Sequence, residues 1–283
     1  MKQLNLQAVM IDLDGTMVDT IGDFEVALNR ALADLQIPTA NRTLIERSIG
    51  KGSEHLIRTV LKHQLALPEV AGNAREVEQL FTPVWERYEH HYLSINGEFS
   101  NVFPGVMEGL EHIKALGLPM ACLTNKPVSF TLPLIRDKGL APYFSKVFGG
   151  DSFERKKPDP LPLLKTCEAL QSLPAQTLMV GDSSNDAQAA DAAGCPVVLM
   201  TYGYNHGEPI QNTPALAWLD SMVQLNIKKL RERIQPRQGR CVLNRLTMVV
   251  TIGHQHHRAT CRIGRLSVVA GISHHQGARR TAS

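Results

Sequence analysis

Short unbroken apolar runs alternate with longer stretches whose apolar residues recur every three or four positions, a pattern that predicts strands and helices in turn. The first run, Ala8-Val9-Met10-Ile11, is continuous, as in a parallel strand buried on both faces. The character then changes. Phe24, Ala27, Leu28, Ala31, Leu32 and Leu35 recur at helical spacing, and helical patterns continue over 44–49, 56–65 and 77–92 without an intervening strand. Residues 20–98 are therefore expected to form a small all-helical domain inserted after the first strand. Beyond Val102 the pattern alternates again: helix 106–116, strand 119–123, helix 131–138, strand 146–149, helix 161–170, strand 177–180, helix 187–193 stopped by Gly194, and strand 196–200. Strands alternating with helices imply right-handed βαβ units and a parallel sheet, hence an α/β fold. The strand ending at Met200 is expected to close the sheet, and a helix over about 221–234 to finish the domain.

The polar residues are not scattered over this framework. Asp12 and Asp14 follow the first strand two residues apart, so at strand spacing they point to one face, and Gly15 lets the chain turn sharply beyond them. The second core strand ends in Thr124 and Asn125, and the loop after the third carries Arg155-Lys156-Lys157-Pro158. The fourth ends in Asp182 and Asp186. Open α/β sheets bind ligands outside the carboxyl ends of their strands, so all of these can converge on one crevice. Clustered carboxylates need a cation or a shared proton, and oxygen ligands of this kind suit Mg²⁺. Lys157 and Thr124 suit phosphate oxygens. In the helical insert, Gly50-Lys51-Gly52 offers backbone N–H groups beside an ammonium. It reads equally as an anion site or as a plain helix–helix turn.

Composition narrows the setting. At 43% apolar residues the chain of 283 can build a proper core. Its five cysteines form no C-x-x-C pair, against both a disulfide framework and a zinc site. The first residues fit no signal peptide, and no apolar run is long enough to span a membrane, so a soluble cytoplasmic protein without a membrane partner is expected. The net charge of +3 hides an asymmetry: no acidic residue follows Glu232, while eight arginines lie between Arg237 and Ser283. Subtracting those eight charges leaves the first 236 residues near −5. Residues 236–283 are read as a basic, disordered C-terminal extension, apolar and β-prone over 242–252 and histidine-rich over 254–257. Only this tail could attract nucleic acid, and nucleic acid is not expected as a partner.

Asp12-Leu13-Asp14-Gly15-Thr16, Thr124-Asn125-Lys126, Lys157-Pro158 and Gly181-Asp182-Ser183-Ser184-Asn185-Asp186 resemble the four motifs of the haloacid dehalogenase-like hydrolases, over about residues 6–225. Within them, Val102-Phe103-Pro104-Gly105-Val106, Leu123-Thr124-Asn125-Lys126-Pro127, Gly149-Gly150-Asp151 and the run from Thr201 to Glu208 are similar to the bacterial phosphoglycolate phosphatase family. The resemblance implies a Rossmann-like core of residues 1–19 and 99–235, a helical cap of residues 20–98 over the site, a Mg²⁺ requirement and glycolate as leaving group. It implies Asp12 as nucleophile and Asp14 as acid and base. Thr124, Asn125 and Lys157 would meet the phosphoryl group. Mg²⁺ would rest on Asp12, the Asp14 main chain and Asp182, with Asp186 bracing. Lys51 in the cap could meet the substrate carboxylate. A dehalogenase or a phosphonate hydrolase of this superfamily would lack Asp14. A phosphomutase or phosphatase acting on a small sugar phosphate keeps both aspartates and stands as the alternative. A phospho-receiver domain would lack the helical insert. The expected partner is a small phosphomonoester, met by a monomer or homodimer.

Overall fold

The computed structural model describes residues 5–68, 76–227 and 230. In chain order the elements are β1 (Ala8–Ile11), β2 (Val18–Asp19), α1 (Ile21–Asp34), α2 (Arg42–Ser48), α3 (Ser53–Leu65), α4 (Val77–Ile95), β3 (Asn101–Val102) and α5 (Val106–Ala115). They continue with β4 (Met120–Leu123), α6 (Val128–Asp137), β5 (Lys146–Phe148), α7 (Leu161–Ala169), β6 (Thr177–Gly181), α8 (Ser184–Ala193), β7 (Val197–Met200) and β8 (Ala217–Leu219).

Six strands form one parallel sheet in the order β5-β4-β1-β6-β7-β8. The apolar runs are continuous because both faces of the sheet are covered. Alternate residues feed two cores: Val9, Ile11, Met120, Cys122, Leu178, Val180, Val198 and Met200 pack on one side, beneath Val106, Leu110 and Ile113 of α5. Ala8, Met10, Ala121, Leu123, Met179, Val197 and Leu199 pack on the other, against Leu163 and Cys167 of α7 and the alanines of α8. β1 lies centrally between β4 and β6, which puts the end of the first strand at the middle of the crevice.

The four helices α1–α4 lie between β2 and β3, which pair antiparallel as a two-stranded ribbon, Val18 opposite Val102 and Asp19 opposite Asn101. They have a core of their own. Phe24, Ala27, Leu28, Ala31 and Leu32 of α1 meet Val84, Tyr88 and Tyr92 of α4, with Leu56, Ile57, Val60 and Leu61 of α3 completing it. The buried Asp23 carboxylate accepts from Gly97 N and Phe99 N at 2.8 Å each and from the Ser100 hydroxyl, fastening the start of α1 to the chain returning from α4.

Two expectations are corrected at the end of the core. The sheet does not close at Met200: β8 adds a sixth strand, pairing Val198 with Ala217 and Met200 with Leu219. The helix expected from Ser221 is replaced at its start by a 3₁₀ turn over Met222–Gln224, where Ser221 Oγ accepts from Val223 N. The close approach of Met222 to Gly109 of α5, where a Cβ would collide with the Met222 side chain, pins the turn to the sheet's helical cover. Among the described residues, no helix is long and apolar enough to cross a membrane. The extension expected over 236–283 lies outside the described residues.

Candidate active site

β1 delivers Asp12 to the carboxyl edge of the sheet, where it is 7% exposed. Its Oδ1 accepts from Leu13 N at 2.7 Å and lies 3.0 Å from Lys157 Nζ. Gly15 sits at φ 82°, and a Cβ there would run into the Asp182 carboxylate. Only glycine lets the first and fourth motifs approach this closely. Thr16 Oγ1 then donates to Asp182 Oδ1 at 2.6 Å, and Tyr204 N donates to Asp182 Oδ2 at 2.6 Å. The Tyr204 hydroxyl accepts from Ile21 N at 3.2 Å and donates to Asp19. The run after β7 thus props a carboxylate of the crevice and ties it to the first residue of α1.

Asp186 falls in the first turn of α8, which starts at Ser184 rather than at 187. Its Oδ2 accepts from Ser183 N at 3.1 Å and Ser183 Oγ at 2.8 Å, closing a reciprocal cap with Ser183. Its Oδ1 lies 2.7 Å from Lys157 Nζ. Lys157 Nζ also donates to Leu123 O at 3.0 Å, so this buried ammonium joins the ends of β1, β4 and α8. Thr124 is buried at the end of β4 and accepts from Lys126 N at 3.2 Å. The Asn125 amide is committed to main chain: it donates to Gly50 O at 2.9 Å and Lys157 O at 2.8 Å, and accepts from Lys157 N at 3.0 Å. Asn125 therefore fastens three loops together.

One carboxylate oxygen from each of Asp12, Asp182 and Asp186 can gather within 4.8 Å of the others. Asp14 turns away from this group, and its Oδ1 meets Lys126 Nζ at 3.1 Å. Burial, opposed by Lys157 and reinforced by Asp186 and Asp14, pushes the Asp12 carboxyl up to about 7. Burial, Asp186 and Asp12 likewise hold Asp182 well above the usual carboxylate range. Burial works against the Lys157 ammonium, but Asp12 and Asp186 outweigh it and raise its pKa. In the fully charged site four carboxylates face two ammonium groups, Lys157 and Lys126, leaving two negative charges uncompensated. An all-oxygen donor set with that deficit fits one divalent hard cation.

A cavity of about 20 Å³ lies over this floor, lined by Asp12, Asp14, Thr124, Asn125 and Lys126 below and Phe24, Ile49, Gly50, Gly52, Ser53 and Leu56 above. That is room for about a single water. Lys51 is exposed and is not among the lining residues, although both of its glycine neighbours and Ser53 are. The geometry instead supplies Lys126, which stood in a motif without a role. Its fully buried Nζ donates to the Tyr92 hydroxyl at 2.6 Å and lies 4.2 Å from the Phe24 ring centre and 4.5 Å from that of Tyr92. Both rings come from the helical insert, and nothing local in the sequence announces them.

Comparison with known proteins accords with this geometry. The family model described as haloacid dehalogenase-like hydrolase matches residues 9–200. A phosphoglycolate phosphatase of Thiobacillus denitrificans is 41% identical over 222 residues, covering 78% of this chain and 94% of the relative. One from Escherichia coli is 39% identical over 218 residues, 73% of this chain and 85% of the relative. Among solved structures, a predicted phosphoglycolate phosphatase from Haemophilus somnus superposes with a TM-score of 0.73 at 33% identity, covering 77% of this chain and 96% of that one.

Proposed function

The chain belongs to the haloacid dehalogenase-like hydrolases, and within them to the bacterial phosphoglycolate phosphatase family of phosphoric monoester hydrolases, and on that premise we propose that it hydrolyses 2-phosphoglycolate to glycolate and phosphate. The observation that carries the reading is the pairing of Asp12 with the buried Lys157 at the floor of a capped cavity, with Asp14 held apart on its own lysine. That separation suits two carboxylates with different tasks.

In this reading Asp12 Oδ attacks phosphorus, the bond from phosphorus to the glycolate oxygen breaks, and the leaving oxygen takes a proton from Asp14. Asp14 then accepts a proton from water as that water attacks the aspartyl-phosphate, and the bond from phosphorus to Asp12 breaks. Thr124 Oγ1 and Lys157 Nζ hold phosphoryl oxygens as charge moves between them. The cap excludes bulk water while the acyl phosphate exists. Asp12, the Asp14 main-chain carbonyl and Asp182 would hold Mg²⁺, with Asp186 orienting Lys157 and the start of α8. The cation, when bound, supplies charge neutralisation between the attacking carboxylate and the phosphoryl group. A cytoplasmic enzyme suits the three free thiols among the described residues, Cys122, Cys167 and Cys195, all buried.

The test is phosphate release with Mg²⁺ from a panel including 2-phosphoglycolate and hexose phosphates, in wild type and Asp12→Asn. The amide variant should show no turnover. A kcat/KM for hexose phosphates well above that for 2-phosphoglycolate, or an isomerised sugar phosphate as product, would refute the substrate assignment.

A further inference from the structure

The crevice lies at the carboxyl edge of the sheet. At the opposite, amino edge, the chain leaving α7 and the chain leaving α8 each bring a cysteine that the chemistry above does not use. We propose that Cys167 and Cys195 form a reversible oxidation site, a dithiol that a hydroperoxide converts to a disulfide within the native fold. The inference does not depend on which phosphomonoester the enzyme takes.

Cys167 stands in the last turn of α7. Cys195 follows Gly194, the left-handed C-cap of α8, and lies two residues before β7 begins. Both pack in the same core layer, and their Sγ atoms lie 3.9 Å apart. Sulfurs in a disulfide are about 2.0 Å apart, so the gap must close by roughly 1.9 Å. The turn at Gly194 can supply that movement: its φ is 75°, and a Cβ there would meet nothing within 4 Å. Cys122, the other cysteine among the described residues, packs on the opposite face of the sheet and cannot compete.

The contact also makes the two sulfurs unlike. The Cys195 S–H donating to Cys167 Sγ lowers the Cys167 pKa against the effect of burial, with the Thr177 hydroxyl in support, and raises that of Cys195. One sulfur thus carries the thiolate, the reactive form, while the other keeps its proton. Cys167 is 1% exposed and Cys195 7%, an opening that bars bulky reagents but not a molecule scarcely larger than water. The Cys167 thiolate attacks hydrogen peroxide: an S–O bond forms, the O–O bond breaks, and the departing hydroxide takes the Cys195 proton as water. The Cys195 thiolate then attacks the sulfenic sulfur. The S–S bond forms, the S–O bond breaks, and the second hydroxide takes from solvent the proton that Cys167 gave up. A small thiol restores the dithiol by exchange. Without its neighbour, a single oxidised sulfur would go on to sulfinic acid, which thiols do not reverse.

The test treats the full chain with hydrogen peroxide at neutral pH, alkylates the remaining thiols and maps the products by mass spectrometry. Cleavage before Asp182 and Asp191 puts the two cysteines on separate fragments, so only a disulfide keeps them together. The linked fragments should dominate in wild type and part in dithiothreitol. The Tm of the linked protein should rise by about 3 °C or more, because a cross-link from 167 to 195 constrains the unfolded chain. In Cys167→Ser and Cys195→Ser the remaining sulfur should gain two or three oxygens that dithiothreitol does not remove. The wild-type map decides the matter where a variant does not fold. No link in wild type, a link that forms only in urea, or a link of either cysteine to Cys241 or Cys261 instead would overturn the site. So would a linked protein with an unchanged or lower Tm, or single variants whose remaining sulfur stays reduced, since the sulfurs would then be packing alone.

Discussion

Replacing Lys157 by methionine tests the electrostatic account of the site most directly. The ammonium lies 2.7 Å from Asp186, 3.0 Å from Asp12 and 3.0 Å from Leu123 O, with its side chain 1% exposed. Methionine keeps the length and apolar stem but leaves two buried carboxylates and a carbonyl without their donor. Breaking a buried ion pair by removing one partner costs about 3–5 kcal/mol. We expect that loss in urea unfolding followed by circular dichroism at pH 8 in chelator. The pH dependence carries the sharper signature. Lys157's pKa is raised above the ordinary 10.5, so the ammonium itself keeps its charge throughout pH 5 to pH 8 and any change in its contribution comes from the carboxyls it faces. Without it, the carboxyls of Asp12 and Asp182, already raised, shift further up and take protons as pH falls. The gap between variant and wild type should therefore shrink by more than half at pH 5. With Mg²⁺, kcat/KM should still fall by about 10²–10³, the usual cost of losing one preorganised donor to a developing charge. A loss below about 1 kcal/mol at pH 8, against the range expected for a buried pair, or a gap independent of pH, would refute the reasoning.

Other outcomes follow from the same geometry. Asp182→Ala should raise the Mg²⁺ concentration for half-maximal activity at least tenfold, read from phosphate release across a metal titration, since it removes an anionic oxygen ligand. Because the Asp12 pKa is raised to about 7 from an ordinary 3.8, its ionisation penalises the metal-free fold increasingly as pH rises through that interval. The Tm in chelator should thus decline from pH 5 to pH 8, and the increase in Tm caused by Mg²⁺ should be larger at pH 8, both readable by differential scanning fluorimetry. Truncation after Ile234 should leave kcat/KM for 2-phosphoglycolate within about threefold, roughly 0.65 kcal/mol in transition-state stabilisation, since every residue of the crevice precedes Tyr204 or is Tyr204 itself.

The inner strands were legible because two-sided burial demands unbroken apolar runs, and the site floor because its carboxylates and lysine sit at the ends of those strands. β8 was not legible. Ala217-Trp218-Leu219 is a half-exposed edge of three residues with no run to betray it. Lys126 could be seen in its motif but not understood, because its aromatic partners come from α1 and α4 and meet it only when the insert docks. Lys51 drew attention by charge, whereas the cavity wall is made by Gly50, Gly52 and Ser53. The direction in which a helix begins decides which neighbour faces in, and residue type does not encode that. Asn125 looked like a substrate ligand, and its amide proves to be engaged with the main chain of two loops.

The insertion between β2 and β3 also sets the order in which this molecule can assemble. β1 is central, yet its neighbours are far downstream: Val9 pairs with Met120 on one side and Leu178 on the other. During synthesis the strand bearing Asp12 emerges before the rest of this sheet, and the insert follows with a hydrophobic core of its own, which favours its early folding. Until β4 and β6 arrive, Ala8–Ile11 is an apolar strand with both edges open, the kind of segment that chaperones bind and that seeks partners in other chains. Of the six strands of this sheet, the one that ends at Asp12 is thus made before the others and waits longest for both of its neighbours.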